Sequence, residues 1–166
     1  MSYKDSYIWK LRQKVNDMTI MTVTVDVLPI RDDGKIKLIF SKIFNYWSTI
    51  GGHPEINDSW NSAMIRELEE EAGIIARKED LGLFTTISGP NRIYHFKDGD
   101  SRPFTNVYLI RKWSEERDFT DKDEISETKW VSVEEAKQLK LNGSTRKIKN
   151  AYENYLKIGK VQVIEE

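Results

Sequence analysis

GGHPEINDSWNSAMIRELEEEAGI, residues 51 to 74, is the stretch that decides how this chain is read. From Glu55 to Glu71 it holds six acids (Glu55, Asp58, Glu67, Glu69, Glu70, Glu71) against one base, Arg66, for a formal charge of -5. An α-helix turns about 100° per residue. With Glu67 at zero, Glu70 falls near 300° and Glu71 near 40°, so three carboxylates share one helix face. Ile65, Leu68 and Ala72 form an apolar stripe on another side. Glu69 points away from the acid face. The periodicity predicts a helix over 60–72, stopped by Gly73. A Glu run on a helix is ordinarily a solvated face, and like charges at this spacing repel. The glycine pair before the helix and the glycine after it argue for more. Carboxylate oxygens are the ligands that hard cations such as Mg²⁺ prefer, and Mg²⁺ usually binds a few carboxylates together with substrate phosphates. Arg66 adjoins the cluster and can hold one Glu in a bidentate pair.

The rest of the chain sets limits on that reading. Its 166 residues suit one compact domain. Hydrophobic residues make up 39% and charged residues 32%, a globular balance. Lys and Arg total 26 against 27 Asp and Glu, so no large basic surface is expected for long nucleic acids or membranes. There is no Cys, which excludes disulfides, thiolate metal sites and a Cys nucleophile. Only His53 and His95 are present, too few for a His-rich metal site. No apolar run approaches the ~20 residues that span a bilayer. Residues 1 to 17 are charged and lack an apolar signal core, so the expected location is cytoplasmic.

Outward from the acidic helix, the patterning predicts a mixed α/β layer fold. An amphipathic helix is expected over 5–15 and a β-branched strand over 19–28. Asp32-Asp33-Gly34 should turn that strand into a hairpin with 35–40. Further strands are expected over 83–87, 92–96, 105–112 and 128–131, with Asp98-Gly99 as a hairpin turn. Closing helices are expected over 133–139 and 145–156, with Ser132 and Ser144 as N-caps.

The acidic stretch resembles the Nudix box: Gly, five residues, Glu, seven residues, then Arg-Glu-apolar-x-Glu-Glu-x-Gly-apolar. Here Gly52 is followed after five residues by Asp58, and after seven more by Arg66-Glu67-Leu68-Glu69-Glu70-Glu71-Ala72-Gly73-Ile74. Only Asp58 departs, standing where the family has Glu. Trp47-Ser48-Thr49-Ile50-Gly51-Gly52 is similar to the family's Trp-x-x-Pro-Gly-Gly, with Ile50 in place of Pro. Tyr7-Ile8-x-x-Leu11-Arg12-x-x-Val15 is similar to an N-terminal signature of one bacterial branch. Ser88-Gly89 and residues 97–100 resemble the same branch. Glu124-x-x-Glu127-x-x-Trp130 and Val133-Glu134-Glu135-Ala136 are similar to the family's closing strand and helix.

The resemblance implies one Nudix domain over 1–166, an α/β/α sandwich with a mixed β-sheet, carrying an N-terminal helical extension (1–17) and the box (51–74). It implies a hydrolase that cleaves a diphosphate linked to another group, using Mg²⁺ or Mn²⁺. Glu70, Glu71 and the Gly52 carbonyl are the implied metal ligands. Glu67 is implied as ligand or general base, with Arg66 positioning it. Glu124 is the favoured extra ligand or base among Asp121, Asp123, Glu124 and Glu127. Asp58 is open between a water-mediated metal contact and an N-cap of the box helix. Glu55 is expected to stabilise the loop. Trp47, Phe44, Tyr94, Phe96 and Phe104 are candidates for stacking on a base, each also a candidate for the core. His95 has no nameable partner. The expected partner is a small nucleotide diphosphate, of the ADP-ribose or nucleotide-sugar type, and a homodimer is plausible. The alternatives are a nucleoside triphosphate pyrophosphohydrolase that clears oxidised bases, and a non-catalytic nucleotide sensor on the same fold.

Overall fold

The computed structural model describes residues 3–166, so the first two residues of the N-terminal extension lie outside the described ones. The elements in order are α1 (Tyr7–Val15), β1 (Ile20–Pro29), β2 (Ile36–Ser41), β3 (Tyr46–Ser48), β4 (Ile50–Gly52), α2 (Trp60–Ala72), β5 (Ile74–Ile75), β6 (Leu81–Ser88), β7 (Tyr94–Phe96), β8 (Gly99–Ile110), β9 (Glu115–Glu116), β10 (Ile125–Val131), α3 (Val133–Ala136), α4 (Gly143–Ile158) and β11 (Gln162–Glu165). The main sheet runs β11-β6-β8-β1-β4, with β7 hairpinned onto β8. β1 is parallel to β8 and β11 is parallel to β6, while the other pairs are antiparallel, which makes the sheet mixed. A second sheet runs β10-β2-β3, and β5 pairs with β9.

Period-two alternation divides the core in two. In β1, Val25 and Val27 face α2, where they pack with Ile50, Ala63, Met64, Leu68 and Tyr108. Leu28, next after Val27 and of opposite phase, belongs to the opposite cluster with Phe84, Val107 and the α4 residues Ile148, Ala151 and Tyr152. Strand β2 splits the same way, Ile39 toward α2 and Leu38 toward α4. Helices on both faces of strands give the α/β/α layering that the resemblance implies.

Some expectations change. Asp32 to Gly34 does turn the chain, but β1 and β2 do not form a hairpin ladder. They share one bridge, Ile30 with Ile36, and then diverge into different sheets. The reason is that β1 pairs along one edge with β8 over ten residues and gives the other, from Val25 to Val27, to β4, so no edge is left for a ladder with β2. Helix α4 starts earlier than expected, and Asn142 rather than Ser144 caps it, accepting from Thr145 N–H at 2.7 Å. Ser144 instead accepts from Arg92 at 2.9 Å. Ser132 caps α3 through a reciprocal capping box with Glu135, as expected, but α3 runs only four residues. The short strands β3, β4, β5, β9 and β11 were not anticipated, because two to four residues give too little periodicity to read.

The α4-side face of β1 carries a polar patch beside the site. Asp26 accepts from the Thr49 hydroxyl at 3.1 Å, and Thr24 shares a hydrogen bond with Thr105 at 2.6 Å. Asp26 keeps some accessible surface but is walled in by protein. Burial pushes its carboxyl up from 3.8 to about 6, against the opposing pull of the Thr49 hydroxyl and the Arg92 guanidinium. The folded state therefore favours the protonated acid. That contribution is full below pH about 4 and is lost as pH rises through about 6. Asp26→Asn is accordingly expected to gain stability over the wild type at pH 8 and little at pH 4, with a ceiling of about 3 kcal/mol on the difference. Urea unfolding of both proteins at the two pH values measures it, and an equal effect at both would contradict the assignment.

Candidate active site

Helix α2 is fixed at both ends before its acids are considered. Ser59 is its N-cap, in a capping box with Ser62, so Asp58 is not the cap. Asp58 instead accepts from Glu55 N–H (3.1 Å), the Ser62 hydroxyl (3.2 Å) and Arg66 (3.2 Å). Ser59 takes the capping role because its hydroxyl sits one residue nearer the first turn, where it reaches Ser62 N–H at 3.1 Å. At the C-terminus Gly73 is left-handed (φ 67°), and a Cβ there would lie 1.9 Å from the Arg117 carbonyl oxygen. The open carbonyls find donors from outside the helix. Lys37 Nζ donates to Ala72 O at 2.9 Å, Arg117 N–H to Gly73 O at 2.9 Å, and the Thr120 and Asp121 N–H groups to Glu70 O at 2.9 and 2.8 Å. The loop after β9 is thereby docked onto the end of the acidic helix.

The carboxylate face is not a solvated one. Glu67 is only 8% exposed and Glu71 7%, while Glu69 is exposed and pairs outward with Arg117. Both buried acids meet the backbone of β4. Gly51 N–H donates to Glu71 Oε2 at 2.9 Å. A Cβ on Gly52 would stand 2.8 Å from Glu67 Oε1, so glycine lets that carboxylate lie against the strand. Gly51 is more constrained still: at φ 154° a side chain there would meet Val25 O at 2.1 Å.

Arg66 is the cation of this cluster. Its Nη1 lies 2.7 Å from Glu67 Oε1 and 3.6 Å from Glu70 Oε2, and its Nη2 lies 3.2 Å from Asp58 Oδ2. Nη2 also donates to His53 O at 3.4 Å, tying the glycine loop to the helix. Burial pushes Glu67 up, opposed by Arg66 and reinforced by the Glu70 charge. Burial also raises Glu71, with the Glu67, Glu124 and Asp121 charges adding to it and Gly51 N–H opposing it. Glu124 is raised by burial first and by Asp121 next. Burial works upward on Asp58 too, but Glu55 N–H and Arg66 outweigh it and hold that carboxyl below the usual range.

The structure thus gathers Gly52, Arg66, Glu67, Glu70 and Glu71 at one place and brings the 121–124 loop within electrostatic reach of Glu71. All the oxygen donors there are hard ones, a set that suits Mg²⁺ or Mn²⁺. Among the described residues, no three carboxylates or imidazoles converge in a metal-ligating geometry. The reason is visible: Glu67 and Glu70 are turned onto Arg66, and Glu71 onto Gly51 N–H. The fit is therefore in donor chemistry and burial.

Other residues fall differently from expectation. His95 does have a partner, Asp100 Oδ1 at 2.8 Å, across the β7–β8 hairpin. His53 is half-buried in the glycine loop, and burial lowers it to about 4. Glu55 reaches outside its loop and accepts from Tyr7 N–H at 2.9 Å, at the start of α1. Trp47 is core. One residue was missed. Lys37 is 3% exposed and joins Glu116 at 2.6 Å as well as the α2 terminus. The alternation hid it, because a lysine between Ile36 and Leu38 takes the opposite face and reads as solvent-facing. Asp121, an expected alternative to Glu124, caps α2 with its N–H and accepts from Glu124 N–H at 3.1 Å.

With this geometry in hand, comparison with known proteins is specific. The family model of the NUDIX domain matches residues 21–152. No curated protein matches the chain in sequence. Among solved structures, a MutT NUDIX hydrolase from Burkholderia pseudomallei is 23% identical, with 80% of this chain and 98% of that one covered at a TM-score of 0.63. The NUDIX domain of Shewanella oneidensis NrtR, solved with ADP ribose, is 17% identical, with 94% and 99% covered at 0.67. A C. elegans Ap4A hydrolase in a binary complex is 17% identical, with 82% and 98% covered at 0.59. The matched span holds all but the first residue of β1, the whole box and most of α4, so the chain belongs to the Nudix hydrolase family, whose members are generally pyrophosphohydrolases.

Proposed function

We propose that this protein is a Mg²⁺-dependent pyrophosphohydrolase that cleaves a nucleoside diphosphate linked to another moiety, of the ADP-ribose or nucleotide-sugar type. The observation that carries the reading is the pair of buried carboxylates, Glu67 and Glu71, held against Gly51 and Gly52 with Arg66 as the cation beside them. Two buried like charges are costly, and a divalent cation is the economical partner for them. The Shewanella domain solved with ADP ribose, similar over 94% of this chain, supports the substrate class.

In this proposal Glu70, Glu71 and the Gly52 carbonyl would hold the metal, with Glu67 as a further ligand or as the general base; when bound, the metal supplies charge neutralisation for the diphosphate and a more acidic water. The chain's own residues do the positioning. Gly51 N–H fixes one Glu71 oxygen and leaves the other for ligation. Arg66 orients Glu67, whose burial raises its basicity toward the range of a working general base. Glu124, raised by burial and by Asp121, is the second candidate for that proton. Asp58 fixes Arg66 from the opposite side and so acts through it.

Glu71→Gln and Glu67→Gln are each expected to cut kcat for ADP-ribose by on the order of 10²–10³-fold or more. In chelator, Glu71→Gln should melt at or above the wild-type temperature, because it removes a buried charge. Full turnover in both variants would overturn the catalytic assignment. Product analysis under Mg²⁺ separates the readings: nucleoside monophosphate plus a phosphorylated partner supports this one, and monophosphate plus pyrophosphate from triphosphates favours the alternative. Arg66→Ala is expected to cost about 2–3 kcal/mol at pH 7, since it leaves Asp58 and Glu67 without their shared cation. Adding Glu67→Gln to that variant should regain part of the loss in denaturant unfolding, and strict additivity would contradict the coupling.

A further inference from the structure

The loop that leads from the glycine pair into α2 is held without a core. Among the described residues, none from 53 to 60 is buried, and Ile56 is 71% exposed. Polar ties set its path instead. Glu55 and Asp58 bond each other twice: Asp58 N–H donates to Glu55 O at 2.9 Å, and Glu55 N–H donates to Asp58 Oδ2 at 3.1 Å. The same Oδ2 accepts from Arg66 Nη2 at 3.2 Å, and Arg66 Nη1 donates to Glu67 Oε1 at 2.7 Å. A shift of Glu55 is therefore passed to Asp58, then to the guanidinium, then to the carboxylate of Glu67.

Glu55 is itself held from a distant part of the chain. Both its carboxylate oxygens accept from Tyr7 N–H, at 2.9 and 3.2 Å. Tyr7 is the first residue of α1, where backbone N–H groups have no partner within the helix and the dipole is positive, so a carboxylate is stabilised there. The other end of α1 is fixed as well. Arg12, 3% exposed, donates to Met18 O (2.8 Å), to Gly99 O (3.0 Å), to Asp100 O and to Ser101 Oγ (2.9 Å). Pinned to the β7–β8 hairpin at one end, the helix presents a fixed donor to the glycine loop at the other.

We propose that Glu55 is a positioning residue for the reaction and that α1 sets it through the Tyr7 N–H, so that the N-terminal helix controls the placement of Glu67. This role rests on the hydrolase reading above, in which Glu67 is ligand or general base. Tyr7 is the first helical position of α1, where proline is well tolerated, and Ser6 already has the extended backbone (ψ 155°) that a following proline requires. Tyr7→Pro thus removes the donor and keeps the helix, whereas Tyr7→Ala removes the ring and keeps the donor. With Mg²⁺ and ADP-ribose, Tyr7→Pro and Glu55→Ala are each expected to lower kcat by roughly 5- to 50-fold with KM within about twofold, and Tyr7→Ala to stay within about twofold of the wild type. The double variant Tyr7→Pro/Glu55→Ala should be no slower than the slower single one, since both remove the same bond. The NMR signal of the Arg66 Nε–H, identified by its loss in Arg66→Lys, follows the chain of contacts without turnover. It should move in Tyr7→Pro and Glu55→Ala and stay in place in Tyr7→Ala. Wild-type kcat in Tyr7→Pro, an equal loss in Tyr7→Ala, multiplied losses in the double variant, or an unmoved Arg66 signal would each overturn the role of α1. A wild type without turnover whose Arg66 signal still moves as expected in the variants would remove the hydrolase reading and keep the link from α1 to Arg66.

Discussion

Everything near the site follows from burying two like charges on one helix. Glu67 and Glu71 are one turn apart, and both are turned inward against β4. Each ion loses water on burial, and each raises the cost of the other. The fold answers with fixed donors. Gly51 N–H takes one oxygen of Glu71, and Arg66 takes one of Glu67. Both compensations demand that strand and helix stay in register, and the glycine pair is what permits that approach. A Cβ at either glycine would collide, with Val25 O from Gly51 and with Glu67 from Gly52.

The placement of the acids also runs against the helix itself. Carboxylates are favoured near a helix N-terminus, where the dipole is positive, and disfavoured near the C-terminus. α2 has no acid in its first turn and carries Glu67, Glu69, Glu70 and Glu71 in its last two. A helix selected for stability alone would be charged the other way round. The remedy comes from outside: Lys37 Nζ and three backbone N–H groups from the loop after β9 converge on its final carbonyls. Those bonds stabilise the unfavourable end and bring Asp121 and Glu124 up to Glu71. Capping the helix and assembling the acidic cluster are one structural event.

This explains what could be read from the sequence and what could not. The acidic helix, its bounds and its glycine stop were legible because they depend on local spacing alone. The shared face of Glu67, Glu70 and Glu71 was legible for the same reason. Its burial was not, since it depends on β4, a three-residue strand with no readable period. The β1–β2 turn was legible but its pairing was not, because the edge that β2 would take is held by β4, a three-residue strand, while β8 pairs along the other. Asp58 looked like a cap by position, and only the location of the Arg66 guanidinium reveals its use. Lys37 was hidden by the alternation of β2, since a charge between Ile36 and Leu38 reads as solvent-facing, and only the structure shows both faces of the strand buried.

The N-terminal helix gives the last step. α1 has nine residues, too few to be stable alone, and it buries only Ile8 and Arg12. Hydrophobic burial therefore contributes little to its position. Its place is set by polar ties at both ends: Ser6 caps it on Trp9 N–H, Glu55 meets its positive terminus, and Arg12 reaches the hairpin. Glu55 belongs to the loop between Gly52 and Asp58, and Asp58 holds Arg66. A helix attached in this way is coupled to the carboxylates through charge rather than through packing. That coupling makes the extension part of the site's framework, and it accounts for an arginine held almost wholly out of water on an otherwise marginal helix.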